Sequence, residues 1–234
     1  RSVIDRIQTH DSVERFCALG VEVRFGEPTF ADEHVVTVDG QRIAARNWII
    51  ATGASPVVPP VEGLKDVPFW TNETVFSQRI LPSRLIVLGG GPIGLEIAQA
   101  FGRLGSKVII VEFMDQILGP EDGDLAELLQ TRLEEEGNEI YISTKALKVE
   151  MRGSTFLLTV SPTSGEGPSR VIGGDALFIA TGRKPNLEKL GLEAAGVEFT
   201  PHSIPTDERM RTNIRHIYAC GDVNGQFPFT HVAG

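Results

Sequence analysis

An α/β fold built on a doubly wound parallel sheet is the class this sequence predicts, and three observations predict it. From Arg84 onward apolar strand-like runs alternate with amphipathic helices, a glycine stands where each helix must stop, and a glycine-rich turn joins the first strand of that series to the first helix. The 234 residues suffice for one large or two ordinary α/β domains.

Residues 1–20 read as helical. Asp11 and Glu14 have capping-box spacing, Val13, Phe16 and Cys17 share a face that points inward, and Gly20 is placed to stop the helix. The runs VEVRF (21–25), HVVTV (34–38), RIAA (42–45) and WIIA (48–51) are expected to form a small antiparallel β-meander, with Asp39-Gly40 as a tight hairpin turn. Residues 54–82 carry Pro56, Pro59, Pro60, Pro68 and Pro82 and little periodicity, so they read as an extended crossing segment with a domain boundary near residue 80.

Strand LIVL (85–88) leads into a helix with Ile93, Ile97, Ala98, Phe101 and Leu104 on one side, stopped by Gly105, and strand VIIV (108–111) completes a βαβ unit. A second helix from Asp124, with Glu127 as reciprocal cap, aligns Leu125, Leu128, Leu129 and Leu133 and ends at Gly137 before strand EIYI (139–142). Residues 147–173 read as strands around a Ser/Gly/Pro turn at 161–169, followed by an apolar strand at 177–180. Helices on both faces of a parallel sheet are the economical packing for this series. One device occurs twice: Ile49-Ile50-Ala51-Thr52-Gly53 and Phe178-Ile179-Ala180-Thr181-Gly182 are apolar strands that each run into Ala-Thr-Gly.

Composition removes several function classes. With 22 basic against 31 acidic residues the net charge is -9, which repels polyanions and leaves no basic block for nucleic acid or an anionic membrane. No run approaches the roughly 18 apolar residues of a membrane-spanning helix. Cys17 and Cys220 stand at opposite ends of the chain, which is no disulfide framework, metal knuckle or C-x-x-C pair, so the expected compartment is a reducing cytoplasm. His10, His34, His202, His216 and His231 show no metal-ligand spacing, and no metal site is expected. The Glu134-Glu135-Glu136 run reads as a solvated helix end with no functional account. The chain opens at Arg1 without a methionine and stops at Gly234 as a new segment begins, so it is expected to be a fragment.

The chemistry-bearing motif is Gly89-Gly90-Gly91-Pro92-Ile93-Gly94, a G-x-G-x-x-G directly after a strand and opening a helix. Gly89 makes the tight turn, Gly91 lets backbone approach a pyrophosphate, and Gly94 allows close helix–strand packing, with the anion on the helix N-terminus. Strand VIIV runs into Glu112, about twenty positions beyond Gly91, where an acid meets adenosine ribose hydroxyls. A carboxylate accepts from a 2′-hydroxyl and repels a 2′-phosphate, and Phe113 rather than an arginine follows, which favours NAD over NADP; Arg103 and Lys107 are the basic residues near enough to argue for a phosphate. Near the end, Ile217-Tyr218-Ala219-Cys220-Gly221-Asp222 is a short strand closing on Gly-Asp, a turn able to approach a ligand and accept from polyol hydroxyls.

Taken in order, strand-ATG, G-x-G-x-x-G with a distal Glu, a second strand-ATG followed by Arg183-Lys184-Pro185-Asn186, and the terminal Ala-Cys-Gly-Asp strand resemble the pyridine nucleotide-disulfide oxidoreductase family of flavoproteins. The run Val111-Glu112-Phe113-Met114-Asp115 is most similar to its dihydrolipoamide dehydrogenase and mercuric reductase branches, and the resemblance covers essentially the whole chain. It implies a Rossmann-type NAD-binding domain at 81–205 inserted in a partial FAD-binding domain at 1–80, with 206–234 as the return segment. It implies further that Gly89 to Gly94 hold the NAD pyrophosphate, Glu96 faces nicotinamide and flavin, Glu112 holds the adenosine ribose, and Ala146 and Gly182 lie near adenine and nicotinamide. Thr52, Gly53 and Ala54 would lie beside FAD, Gly221 and Asp222 would bind its ribityl chain, and Pro228 to His231, with Phe229, Thr230 and His231, would run under the flavin.

Departures from the family pattern set the limits of that implication. The FAD glycine fingerprint, the C-x-x-x-x-C redox disulfide, the lysine that pairs with the Glu96 position and the His-Glu pair of the C-terminal dimerisation domain are absent from these residues, so no catalytic residue is assigned and Cys220 reads as a small core residue. The implied function is hydride transfer from NAD(P)H to FAD and on to a disulfide or metal-ion substrate, by a homodimer in the full-length form, with this stretch inactive alone. Two other readings stand beside it: an NADH oxidase or dehydrogenase of the same superfamily, and a non-catalytic nucleotide-binding fragment.

Overall fold

The computed structural model describes residues 2–225 and divides into two units, one formed by residues 1–54 and 185–234, the other by residues 55–184 inserted between them. These boundaries differ from the expected ones at 80 and 205. The proline-rich stretch is not a free crossing segment: Leu64 and Val75 are buried in the inserted unit, and the Trp70 N–H and carbonyl pair with Leu177 and Ile179. Likewise Leu187, Leu190, Leu192, Ala195, Val197 and Ile204 are buried in the first unit's core. Apolar side chains between the prolines and glycines decide which unit each stretch joins. Among the described residues no helix is long and apolar enough to cross a membrane.

The first unit opens with α1 (Ser2–Gln8) and α2 (Val13–Ala18), then β1 (Pro28–Asp32), β2 (Val35–Val38), β3 (Gln41–Ala44) and β4 (Trp48–Ile50). α2 is capped by Ser12, whose Oγ accepts from the Arg15 N–H, and not by Asp11; it ends before Gly20 at φ +85 as expected. Val13, Phe16 and Cys17 are exposed, so the inward face expected for α2 is not buried within this unit. The meander is β1–β2–β3, turned by Asp39 and Gly40, both at positive φ as a type I′ hairpin requires. Two expected members are absent from it. VEVRF is irregular and mostly exposed, and the strand forms instead at Pro28–Asp32, where buried Phe30 pairs with Val36 and its N–H reaches the Leu190 carbonyl. β4 leaves the meander and pairs in parallel with β14 (Ile217–Ala219), setting Ile50 beside Ala219.

The chain passes between units at β5 (Ala54–Pro56) and β13 (Arg183–Pro185). The inserted unit holds β6 (Arg84–Leu88), α3 (Pro92–Leu104), β7 (Lys107–Val111), α4 (Gly123–Glu135), β8 (Glu139–Tyr141), β9 (Thr144–Arg152), β10 (Thr155–Pro162), β11 (Arg170–Gly174) and β12 (Ala176–Ile179). Its parallel sheet has the order β12-β6-β7-β8. The residues of β6, β7 and β12 are almost continuously buried, the signature of a sheet covered on both faces. Leu85, Val87, Val108, Ile110 and Phe178 face α3 and α4, while Ile86, Leu88, Ile109, Leu177 and Ile179 face the antiparallel sheet β11-β10-β9. The expectation of helices on both faces is thereby corrected. Strict alternation in β10, with Phe156, Leu158 and Val160 inward, makes an amphipathic sheet that covers the second face in place of a helix.

Both helices bury narrower stripes than expected. α3 takes Pro92 at its first turn and stops at Gly105 (φ +110), burying Leu95, Ile97 and Ala98 and leaving Leu104 exposed. α4 starts at Gly123 after Asp122, without the Asp124–Glu127 reciprocal cap: Asp124 Oδ1 accepts from the adjacent Leu125 N–H. Its buried line is Ala126 and Leu133 with Leu129 packed against them, and Leu125 and Leu128 face solvent. Glu136 is no idle helix end. Its carboxylate takes two hydrogen bonds from Arg103 (2.8 and 3.0 Å), one from Gln99 (3.2 Å) and an ion pair with Arg132 (3.0 Å), tying the C-terminal ends of α3 and α4 together.

Two outcomes follow for stability. Leu133→Ala removes a fully buried side chain and is expected to cost about 2–5 kcal/mol, whereas Leu128→Ala on the same helix should stay within about 0.5 kcal/mol, read by urea denaturation. Hydrogen bonds from Arg103 hold the Glu136 carboxyl below the ordinary carboxylate range against the opposing push of burial, so the unfolded chain binds more protons and stability rises with pH there. That contribution is complete above the unfolded value of about 4.3 and is lost as pH falls through the lower folded value. In Glu136→Gln the fall of Tm between pH 6 and pH 3 should therefore be shallower than in the wild type, measured by calorimetry at about one-unit pH intervals.

Candidate functional site

The sheet order places β12 and β7 on opposite sides of β6, so the direction of strand addition reverses between β6 and β12. Crevices at such reversals, outside the carboxyl ends of parallel strands, are where open α/β sheets bind ligands. Gly89 to Gly94 lie at that point. Gly89 has φ +105, its N–H donates to the Val111 carbonyl (2.9 Å), and a Cβ there would strike the Ala180 carbonyl. A Cβ on Gly94 would land on the Gly89 carbonyl oxygen, so only glycine lets α3 sit this close to the strand end. Gly90 is buried and would place a Cβ 3.1 Å from Ile117 and 3.2 Å from Glu112. Gly91 differs from all of these: it is the N-cap of α3, and nothing lies within 4 Å of where its Cβ would be.

Open space therefore stands in front of the α3 N-terminus. The first intrahelical bond is from the Leu95 N–H to the Gly91 carbonyl (3.0 Å), Pro92 has no N–H, and the N–H groups of Ile93 and Gly94 have no acceptor within the helix. No acidic residue occupies the first turn to neutralise the positive end of the helix dipole, and this end is suited to an anion. Glu96, one turn further along, is exposed.

Glu112 closes the other side. It follows β7, its N–H donates to the Tyr141 carbonyl (2.8 Å), and its carboxylate accepts from the Met114 N–H (2.7 Å) and, through the other oxygen, from the Gly90 N–H. A carboxylate offers about four lone-pair positions, so two remain for hydroxyl donors. The Thr144 N–H donates to the Glu112 carbonyl (2.9 Å), and Ala146 lies two residues along β9 with its methyl packed on the apolar cluster between the two sheets. Gly182 (φ +131, exposed) follows β12, and its carbonyl accepts from the Val57 N–H (2.9 Å) as Thr181 Oγ1 donates to the Val57 carbonyl (2.9 Å). One sheet edge thus brings together the glycine turn, Glu112 and the second ATG turn.

In the first unit the carboxyl ends of β4 and β14 carry the other predicted residues. The Cys220 N–H donates to the Ile50 carbonyl (3.0 Å), which sets the Thr52-Gly53-Ala54 turn and the Gly221-Asp222 turn after neighbouring parallel strands. Gly53 and Gly221 both have left-handed backbones, at φ +63 and +74. Asp222 is half-buried in a short 3-10 turn, and Cys220 is half-buried rather than a core residue. Phe229, Thr230 and His231, with Pro228, lie outside the described residues. The sequence motif did not reveal the work of Asn186, whose N–H and side-chain amide donate to the Gly53 and Thr52 carbonyls (3.0 and 2.9 Å) while its carbonyl accepts from Thr52 Oγ1 (2.9 Å). Only its place after the second ATG turn marked it.

The glycines make a test that needs no ligand. Gly94→Ala forces α3 off the strand end and should lower stability by about 1–3 kcal/mol, while Gly91→Ala, with an ordinary φ of -78 and open space around it, should leave Tm nearly unchanged.

Comparison with known proteins shows the family of the chain. The family model described as pyridine nucleotide-disulphide oxidoreductase matches residues 4–234. The chain is 40% identical over 223 residues to a mercuric reductase from Shigella flexneri, covering 91% of this chain and 38% of that protein. It is 36% identical over 217 residues to a dihydrolipoyl dehydrogenase from Bacillus subtilis (strain 168), covering 91% and 46%. Among solved structures, the HOCl-induced flavoprotein disulfide reductase RclA from Escherichia coli matches with a TM-score of 0.80 at 32% identity, over 91% of this chain and 48% of that one. The chain therefore spans less than half the length of each of these proteins. It belongs to the pyridine nucleotide-disulphide oxidoreductase family.

Proposed function

We propose that this chain supplies the NAD-binding domain and part of the FAD-binding domain of a flavoprotein oxidoreductase, which passes hydride from a reduced nicotinamide to FAD and on to a disulfide or metal-ion acceptor. The observation that carries the reading is the open side of Gly91 in front of a helix with no acid in its own first turn, with the Glu112 carboxylate beside it at the reversal of the sheet order.

Each residue has a stated task. The backbone at Gly91 and the first turn of α3 hold the pyrophosphate of the dinucleotide, and Gly89 and Gly94 keep that backbone close to the strand end. Glu112 accepts from the adenosine ribose hydroxyls. Its charge disfavours a 2′-phosphate, and neither basic residue near it in sequence is set to offset that charge: Arg103 is engaged by Glu136 at the far end of α3, and Lys107 opens β7 at the end opposite Glu112. NAD is therefore preferred to NADP. The Thr52-Gly53-Ala54 and Gly221-Asp222 turns fit one flavin dinucleotide because glycines let the backbone approach and Asp222 can accept from polyol hydroxyls. Glu96 stands on the exposed side of α3 and, by the family resemblance, is assigned to face the nicotinamide and flavin. FAD, when bound, supplies the two-electron chemistry, and the protein supplies binding and orientation.

Calorimetric titration tests the reading. NADH should bind, NADPH should bind about tenfold more weakly or worse, the scale of one unscreened charge repulsion near a surface, and Glu112→Ala should narrow that gap. Gly91→Val should abolish NADH binding with Tm retained. A wild-type chain that binds neither nucleotide, or prefers NADPH, overturns the assignment.

A further inference from the structure

Gly90 sits in the middle of the glycine turn, and the segment that follows β7 grips its peptide groups from two directions. The Gly90 N–H donates to the Glu112 carboxylate, and the Gly90 carbonyl accepts from the N–H of Leu118 (2.9 Å). Fully buried Ile117 fills the space beside the Gly90 Cα.

That second grip depends on an uncommon backbone. Leu118 has φ +48, a left-handed conformation that a leucine seldom adopts, and one that persists only where the surroundings enforce it. Five described non-glycine residues have positive φ, and two of them serve this one segment. The other is Ser143 (φ +47), whose N–H donates to the Met114 carbonyl (2.7 Å) and whose own carbonyl accepts from the Thr163 N–H (2.8 Å). Residues 112–118 are thus fastened to the β8–β9 corner on one side and to Gly90 on the other. The Leu118 side chain packs against the apolar cluster beneath α3 and α4, which anchors the strained residue.

We infer that Leu118 is a positioning residue for the dinucleotide: its N–H fixes Gly90 so that the adjoining Gly91 backbone is aligned before the pyrophosphate arrives. This rests on the nucleotide-binding reading above. Leu118 need touch no ligand atom. A turn ordered in advance loses less conformational freedom on binding, and affinity gains by that difference.

The experiment combines amide hydrogen exchange at Gly90 in the ligand-free chain with NADH titration of the same samples. Leu118→Pro removes the donor and fixes φ in the wrong region, Leu118→Val keeps the donor but resists the left-handed backbone, and Leu118→Asn keeps the donor and accepts that backbone. Gly90 should be protected in the wild type and in Leu118→Asn and should exchange faster in the Pro and Val variants. The NADH Kd should rise about tenfold in Leu118→Pro, in the same direction in Leu118→Val, and return to within about twofold of the wild type in Leu118→Asn. Leu133→Ala, destabilised on α4 away from the turn, is the control and should keep the wild-type Kd. Unchanged affinity in the Pro and Val variants, or an equal loss in Leu133→Ala, overturns the inference, as does a wild-type Gly90 amide that exchanges like an open one. A protected Gly90 in a wild-type chain that does not bind NADH overturns the nucleotide reading instead, and the task assigned to Leu118 goes with it.

Discussion

The seating of α3 against the end of β6, where the absent Cβ of Gly94 leaves room for the Gly89 carbonyl, is the contact on which the inserted unit depends. It brings the helix axis close enough for Leu95, Ile97 and Ala98 to reach the sheet, and it aims the helix N-terminus at the crevice between β6 and β12. Packing and ligand geometry are the same requirement here, because any residue but glycine at 94 would move both. Gly91 stands apart from that requirement. It makes no contact that a side chain would disturb, so close packing within the fold does not require glycine there as it does at 94.

How much of this was legible in the sequence depended on the range of the interactions. The glycine turn, Glu112, the Asp39-Gly40 hairpin and the helix stops at Gly105 and Gly137 are set by residues close together in the chain, and the strand periods around them are unambiguous. The pairing of β4 with β14 is different, because nothing in WIIA distinguishes a meander strand from one whose partner lies at the other end of the chain. VEVRF has strand-forming residues but joins no sheet among the described residues, while the less β-like PTFAD becomes a strand because Phe30 has a core to enter and Leu190 to pair with. On α4 four leucines competed for one apolar face. The core takes Ala126, Leu129 and Leu133, and no local rule excluded Leu125 or Leu128.

The candidate site was legible as a list of residues but not as a network. Sequence spacing marks Glu112 as an acid at a strand end, yet gives no sign that its carboxylate braces Gly90 and Met114 at the same time. Glu136 shows the reverse error, since a run of three glutamates reads as solvated surface when one of them is clamped by Arg103, Gln99 and Arg132. The clamp divides α3 by function. Its C-terminal end carries Arg103, paired with Glu136, while its own first turn holds no acid and the nearest carboxylate described there, Glu112, comes from the end of β7.

The repeated Ala-Thr-Gly turn extends that logic to both units. In the first unit Thr52 donates its hydroxyl hydrogen to the Asn186 carbonyl, and in the inserted unit Thr181 donates to the Val57 carbonyl, each at 2.9 Å. Each receiving residue lies four positions beyond the glycine of the other turn, so every ATG turn is fastened to the stretch by which the chain has just entered or re-entered its unit. A β-branched side chain with one hydroxyl suits this task, since its restricted rotamers hold the donor on a nearby carbonyl at little entropic cost. The glycine that follows turns the chain, at φ +63 in one turn and +131 in the other, and its carbonyl accepts from the same receiving stretch: Gly53 from the Asn186 N–H and Gly182 from the Val57 N–H. Threonine and glycine fasten the turn together, one through its hydroxyl and the other through its carbonyl, which is why the same three residues close a strand in two units with different neighbours.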